Sequence, residues 1–451
     1  MDISFWKLLA GLAVFLFGME QLERGIEHLA GRSFKLFIKK YTTHPFSAVL
    51  VGILITAILQ SSSLVSFIVL AFVGAGVMAM PNALSVILGA NFGTTLTSWI
   101  IALVGFSFNL EKFSYPILAC GGIVFLVFGS SKSGFHYARM IIGFGMLFLG
   151  LDFMKASIGD YFSNFDVSPY VNYPIIVFAL LGFIITAIVQ ASSATMAIAL
   201  SALYTGKIPL EIAAGLIIGS ELGTSIKSWF GAMQGSPAKK QVALGNILFN
   251  SGTTLMGLIL VHPILYLITK VWNVSDEVYA LVLFQNFTNL ATIVMFFPFL
   301  QSFSSFLERR FREKKDQVPL YISKTGTEIP EAALDALEKD AHFFLHKTIV
   351  LNLDAFHIER NLIPLEPELS EKMKMLEGSA FSYGKFYDQL KVNEGEIVHY
   401  YLDLNKESLN EKDSRRLQQL LNVIRNATFS AKAMKDIRSD RKDFRESADD
   451  R

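Results

Sequence analysis

Long apolar runs separated by short polar ones dominate the first 305 residues, and dense charge takes over after Glu308. Apolar stretches of the length that crosses a bilayer, about 17–25 residues, lie near 5–22, 82–104, 113–129, 137–154, 209–231, 242–268 and 277–300. These runs predict seven membrane helices. Regions 45–78 and 174–206 differ, because a polar cluster interrupts each: "LQSSS" at 59–63 and "VQASS" at 189–193. Neither half of these regions is long enough to cross alone. A re-entrant helical hairpin fits each, since broken backbone at membrane depth is tolerated only within protein or beside water.

The distribution of lysine and arginine gives a topology. With the N-terminus outside and the hairpins not changing sides, the first loop lies inside and holds Arg24, Arg32, Lys35, Lys39 and Lys40; the inner loops that follow hold Lys132 and Arg139, then Lys239 and Lys240. The exit carries Arg309, Arg310, Arg312, Lys314 and Lys315, while the outer segments carry mostly single lysines. The positive-inside rule therefore places the C-terminal region in the cytoplasm and the chain in the plasma membrane as a multi-pass protein. The run Phe5–Met19 lacks a basic start and a cleavage pattern, and reads as a retained helix.

The chain also repeats itself. An offset of 130 positions aligns 50–105 with 180–235 without a gap, matching Gly52/Gly182, Gln60/Gln190, Ser62/Ser192, Ser63/Ser193, Gly89/Gly219, Gly93/Gly223, Thr94/Thr224, Ser98/Ser228 and Trp99/Trp229. Apolar composition alone does not match glycines, glutamines and tryptophans. Three spans, an odd number, separate the two copies, so the second is expected upside down relative to the first. Inverted repeats with interrupted helices are an architecture of secondary transporters, whose sites form where the interrupted segments meet. The expected fold class is thus an all-α polytopic membrane protein with two inverted repeats, re-entrant helical hairpins and broken helices, followed by a small cytoplasmic helical bundle. The symporter domain spans 1–305, with repeat one about 5–129, repeat two about 137–268 and an extra span at 277–300; a linker at 306–330 leads to a helical domain at 331–445.

Each copy supplies two polar pieces. One is the hairpin tip: Gln60, Ser61, Ser62 and Ser63 in the first, and Gln190, Ser192, Ser193 and Thr195 in the second. The other is a Gly/Thr-rich break, "GANFGTTLTS" at 89–98 and "GSELGTSIKS" at 219–228. Serines that open a half-helix combine hydroxyl donors with unpaired backbone N–H groups, a receptor for an oxyanion. Carbonyl, amide and hydroxyl oxygens suit a hard cation. The anion candidates are Ser61, Ser62, Ser63, Ser192, Ser193, Thr195 and Lys227; the cation candidates are Gln60, Gln190, Asn91, Thr94, Thr95, Ser98, Glu221, Thr224 and Ser225. Intramembrane charges are costly and usually functional, which singles out Glu221 and Lys227. The bland alternative is that the two pair structurally or that Lys227 snorkels. Asn246, Asn250, Asn286 and Asn289 read as hydrogen bonders between helices.

Composition narrows the classes further. The chain has 451 residues, 52% hydrophobic and 18% charged, with a net charge of +1, which offers no basis for nucleic-acid binding. Cys120, the single cysteine, lies in an apolar run, so an intrachain disulfide is impossible and a small buried thiol is expected. No nucleophile–base pair or phosphate loop suggests an enzyme, and no organic cofactor is implied.

The paired Gln-Ser-Ser tips, with "GANFGTTLTS" and "KKQVALGNILFN" at 239–250, resemble the type II sodium–phosphate cotransporter family over roughly 1–300. The resemblance implies a symporter that uses sodium ions to move inorganic phosphate, with Gln60–Ser63 and Gln190–Ser193 lining both sites. Glu221, Lys227 and Gln285-Asn286 depart from the family pattern. The cytoplasmic region, with amphipathic helices at 331–358, about 370–404 and about 411–440, resembles a PhoU-like bundle, and a regulatory protein partner is implied there. Leu334, Leu337, Ala341, Leu345 and Thr348 are expected on one face. His342 and His346 lack a third metal ligand in the sequence. Two alternatives stand beside the symporter: a membrane-bound phosphate sensor acting through its tail, and a symporter of another small anion.

Overall fold

A computed structural model describes residues 3–106, 110–161, 169, 173–233, 237–311, 321–356, 358, 383–407 and 409–448. No strand occurs among the described residues. The chain divides into two compact units. One comprises Met1–Val69, Met80–Gly235 and Lys239–Arg310; the other comprises Leu70–Ala79, Ser236–Ala238 and Phe311–Arg451.

The helices of the first unit are α1 (Ile3–Tyr41), α2 (Pro45–Leu59), α3 (Ser62–Gly74, whose last turn falls in the second unit), α4 (Met80–Gly93), α5 (Thr95–Gly105), α6 (Leu110–Phe128), α7 (Lys132–Tyr161), α8 (Ile175–Val189), α9 (Ser192–Tyr204), α10 (Leu210–Met233), α11 (Pro237–Tyr266), α12 (Glu277–Phe296) and α13 (Leu300–Arg310). Among the described residues, five helical segments are long and apolar enough to cross a membrane: Ser4–Leu29, Met80–Gly105, Ser133–Asp160, Lys239–Val271 and Glu277–Arg310. The expected spans at 113–129 and 209–231 are helices as well. The apolar part of α6, Lys112–Phe128, is shorter than the other spans, and α10 carries Glu211, Glu221 and Lys227. The halves of the two expected hairpins, α2, α3, α8 and α9, are all short apolar helices. Many large apolar side chains face outward, among them Leu126, Ile188, Ile259 and Val294, as suits a surface solvated by lipid. The protein is an all-α membrane protein.

Glycines set how closely the helices approach. A methyl group on Gly52 would sit 2.2 Å from the Val86 carbonyl oxygen, and one on Gly182 would sit 2.0 Å from that of Leu216. In return, Gly89 meets the Val49 oxygen at 2.1 Å and Gly219 the Ala179 oxygen at 1.7 Å. Every one of these contacts recurs 130 positions along, so α2 crosses α4 as α8 crosses α10. Gly11, Gly18 and Gly143, Gly150 bring α1 against α7 in the same way: Gly18 faces the backbone of Leu147 at 2.6 Å and Gly150 the Gly11 oxygen at 2.6 Å. The pairing of 11 with 150 and 18 with 143 makes these two helices antiparallel. Small residues at backbone-to-backbone crossings are the usual means of packing helices in lipid.

Three sequence expectations change in this unit. The basic segment read as a first loop is helical, because α1 runs unbroken to Tyr41. The two Gly/Thr-rich segments are not alike: the first is interrupted at Thr94, between α4 and α5, whereas α10 passes through Gly219–Ser228 without a break. Gly219 and Gly223 serve close packing on α8, where Gly223 lies against the Thr186 side chain, so permissive backbone there does not become irregular backbone. Cys120 is exposed, since α6 turns it outward with Phe125, Leu126 and Val127; an apolar run in a membrane helix does not imply an interior position.

In the second unit, α14 (Pro330–Ala355) packs against helices Tyr383–Leu404 and Glu411–Ala448. Leu334, Leu337, Ala341 and Thr348 of α14 are buried as expected, but Leu345 is exposed and Phe344 takes its place inward; the stripe advances by three residues after Ala341 rather than four. Leu390, Ile397, Leu417 and Ile424 complete the apolar interior. The Asp340 carboxylate accepts from the N–H groups of Tyr321 (3.0 Å) and Ile322 (2.7 Å), and Arg416 reaches both Asp335 and Glu338. Residues 70–79 belong to this unit, with Lys339 Nζ donating to the Gly76 carbonyl. His346 turns its ring to the His342 carbonyl, 2.8 Å away, and no metal-binding cluster occurs among the described residues. The expected helix over 370–404 is described from Tyr383; residues 370–382 lie outside the described residues, as do Arg312, Lys314 and Lys315.

Candidate functional site

Both Gln-Ser-Ser turns are built by one backbone device. Gln60 has φ 57° and Gln190 φ 60°, the left-handed region, and each N–H returns to the carbonyl of Thr56 or Thr186 (2.8 and 2.6 Å). A side chain in this conformation costs about 1–2 kcal/mol, yet glutamine is used where glycine would be easier. The Gln60 side chain shows why. Its Nε2 donates to the Ala57 carbonyl, and its Oε1 accepts from Thr97 Oγ1 at 2.7 Å, tying the tip to α5. After each glutamine one residue is extended or irregular, and a new helix starts at Ser62 or Ser192. The far ends also match: Gly76 and Gly206 both have positive φ, 63° and 66°.

The two tips line one cavity of 590 Å³. Gln60, Ser61, Ser62 and Ser63 form one part of its wall, and Gln190, Ala191, Ser192 and Ser193 another. Thr94, Thr97 and Ser98 from the interrupted segment, Thr224 and Lys227 from α10 and Gln285 from α12 complete most of the polar lining. Donors thus come from serine hydroxyls, from the first N–H groups of α3 and α9, and from the Lys227 ammonium. The N-termini of both half-helices contribute partial positive charge.

Other expected site residues lie in a layer of hydrogen bonds outside the cavity lining. Asn91 donates to Asn250 Oδ1 (2.8 Å) and to Asn246 Oδ1 (3.3 Å); Asn250 in turn donates to Ser225 Oγ (2.9 Å) and Thr224 Oγ1 (3.3 Å). Glu221, which aligns with Asn91 at the 130 offset, is buried and accepts from Gln285 Nε2 (2.8 Å) and Asn289 Nδ2 (3.3 Å). Ser98 Oγ donates to Gln285 Oε1 at 2.7 Å, so one amide side chain links Glu221 to the cavity wall. The two networks correspond: Asn91 binds an amide pair on α11, and Glu221 a pair on α12. Thr95 bonds back to the Phe92 carbonyl (2.8 Å), and Thr195 meets Thr186 Oγ1 across its own hairpin (2.7 Å). Of the four asparagines read as interhelical bonders, Asn246, Asn250 and Asn289 act so, while Asn286 Oδ1 is buried without a partner.

Glu20, Glu23, Arg24 and Glu27 of α1 also line the cavity, which sequence reading missed. Glu20 pairs with Arg24, whereas Glu23 shares the cavity wall with Ser61 and Lys227. The signal was present in the spacing. Positions 20, 23, 24 and 27 fall on one face of a helix, but the residues were assigned to a loop and lost their common direction.

The cavity is one that an oxyanion and hard cations could share, and the chain's relatives point the same way. A protein of Bacillus subtilis named "Uncharacterized protein YqeW" is 31% identical over 306 residues, covering 67% of this chain and 95% of that one. "Putative inorganic phosphate export protein YjbB" of Salmonella typhimurium is 24% identical over 430 residues, 94% of this chain and 75% of that one. Mouse "Sodium-dependent phosphate transport protein 2A" shares 30% identity over a shorter stretch of 99 residues, 22% of this chain and 16% of that one. No solved structure matches. The sequence pattern described as Na+/Pi-cotransporter covers residues 14–156 and 173–301, both serine tips and the whole cavity lining included, and by that match the chain belongs to the Na+/Pi-cotransporter family.

Proposed function

We propose that this protein is a secondary active transporter that carries inorganic phosphate across the plasma membrane, coupled to sodium and working by alternating access. The observation that carries the reading is the meeting of both serine tips with Lys227 on one cavity. Phosphate docks on Ser61, Ser62, Ser63, Ser192 and Ser193, with Lys227 offsetting its charge. Sodium is held by oxygens of Gln60, Gln190, Thr94, Ser98 and Thr224, while Asn91, Thr95, Thr195, Glu221 and Ser225 shape those positions from behind. The glycine contacts that recur at an offset of 130 support two structurally equivalent copies, and an inverted arrangement of them gives alternating access by rocking one copy against the other. The Salmonella relative is named for export; coupling sets direction through the gradients, and one cavity serves either way. The C-terminal helical unit, PhoU-like in length and position, lies on the cytoplasmic side and is the natural seat for a regulatory protein.

Radiolabelled phosphate flux in proteoliposomes tests this, measured with sodium, potassium and proton gradients imposed separately. Flux that follows the sodium gradient is expected. Flux indifferent to sodium but driven by protons would replace the coupling ion, and no phosphate flux in folded preparations would reject the reading.

A further inference from the structure

A carboxylate has the wrong sign for the wall of an anion cavity. Glu23 nonetheless lines this one, together with Ser61 and Lys227. The other charged groups around it are Glu20, Glu27 and Arg24 on its own helix, and Arg24 is engaged by Glu20. Among the described residues that line the cavity, Lys227 is thus the one basic group left to face Glu23. Ser61 and Lys227 are groups that a docked anion would itself require.

Such an acceptor discriminates between oxyanions of similar size. Near neutral pH phosphate keeps at least one P–OH, which can donate to a carboxylate. Sulfate has no proton to donate, so its oxygen lone pairs would face those of the glutamate, leaving both desolvated and unpaired. We propose that Glu23 accepts the P–OH hydrogen of bound phosphate and thereby excludes fully deprotonated oxyanions such as sulfate. This rests on the reading of the cavity as a phosphate site. A site built to bond a substrate hydroxyl rejects the analogue that lacks it by factors of roughly 10⁴–10⁵ when fully enclosed, and on an open-sided cavity a preference of about 100-fold is expected.

Two independent measurements test it on the full chain purified in detergent. The first compares phosphate, arsenate, sulfate and monofluorophosphate by calorimetry on the unaltered protein. Arsenate retains a hydroxyl near neutral pH; monofluorophosphate is of phosphate size and has none. Arsenate is expected to bind like phosphate, with sulfate and monofluorophosphate weaker by about 100-fold; monofluorophosphate binding as tightly as phosphate would overturn the proposal. The second compares Glu23→Gln with Glu23→Asp. The amide should narrow the phosphate-over-sulfate preference to about tenfold or less, because its N–H can donate to sulfate, and aspartate should restore most of it. A Glu23→Gln protein that keeps full preference, or changes only its sodium affinity, would overturn the proposal and leave the phosphate reading intact. An unaltered protein that binds none of the four anions would overturn both.

Discussion

Glu221 is the residue where burial and charge are most at odds. It is 5% exposed, in the middle of α10, and its bonds come from two amide side chains of α12. A truncated side chain at this position would leave Gln285 Nε2 without its acceptor and Asn289 Nδ2 with only the Gln285 carbonyl. Glu221→Ala is therefore expected to lower the stability of the detergent-solubilised protein by about 1–3 kcal/mol, read from chemical denaturation, the cost of one buried donor left without an acceptor. Glu221→Gln keeps one acceptor and the same volume, and should cost less than half as much. If the carboxylate serves sodium coupling, the glutamine variant folds but its phosphate flux loses most of its dependence on the sodium gradient. The sequence showed that an acid stands where the other copy has Asn91. It could not show that Gln285 and Asn289, more than sixty positions away, supply the partners, because nothing in local spacing encodes that meeting.

At the scale of helices, the short apolar segments around each tip were legible because a polar cluster cuts an apolar run too short to span. The interruption in one Gly/Thr-rich segment and its absence in the other were not. Matching glycines look identical in sequence whether they unwind a helix or admit a neighbour's backbone, and only the contact distinguishes them. Gly219 and Gly122 make that contrast measurable. A methyl group on Gly219 would enter the Ala179 carbonyl at 1.7 Å, whereas around Gly122 nothing lies within 4 Å. Gly219→Ala should destabilise by about 3 kcal/mol or more through overpacking that rigid backbone cannot relieve. Gly122→Ala should be neutral or slightly stabilising, as alanine favours helix by roughly 1 kcal/mol. Equal thermal denaturation midpoints for the two variants would contradict the close crossing of α8 and α10.

For the molecule as a whole, the decisive arrangement is that two tips 130 positions apart line a single cavity. Were there two independent sites, disabling one would leave about half the flux. With one shared site, Ser62→Ala with Ser63→Ala, or Ser192→Ala with Ser193→Ala, should each weaken phosphate affinity by about tenfold or more, at roughly 1 kcal/mol per lost hydroxyl donor. A residual flux near half, with unchanged affinity, would separate the tips functionally. The membrane character, the helical tail and the pairing of the tips were all readable from the chain, since each rests on composition or on a motif repeated nearly verbatim. The acidic face of α1 was written in the spacing of positions 20, 23, 24 and 27 but went unread, because a helix that continues past its apolar run was taken for a loop.

Cys120 has a practical consequence of its own. As the sole thiol of the chain, turned outward on α6 beside Phe125, Leu126 and Val127 and absent from the cavity lining, it can be removed without touching the polar site. Its replacement by serine yields a cysteine-free background in one step. Pairs of reporters can then be placed on the two tips, so that their separation is followed while solute binds.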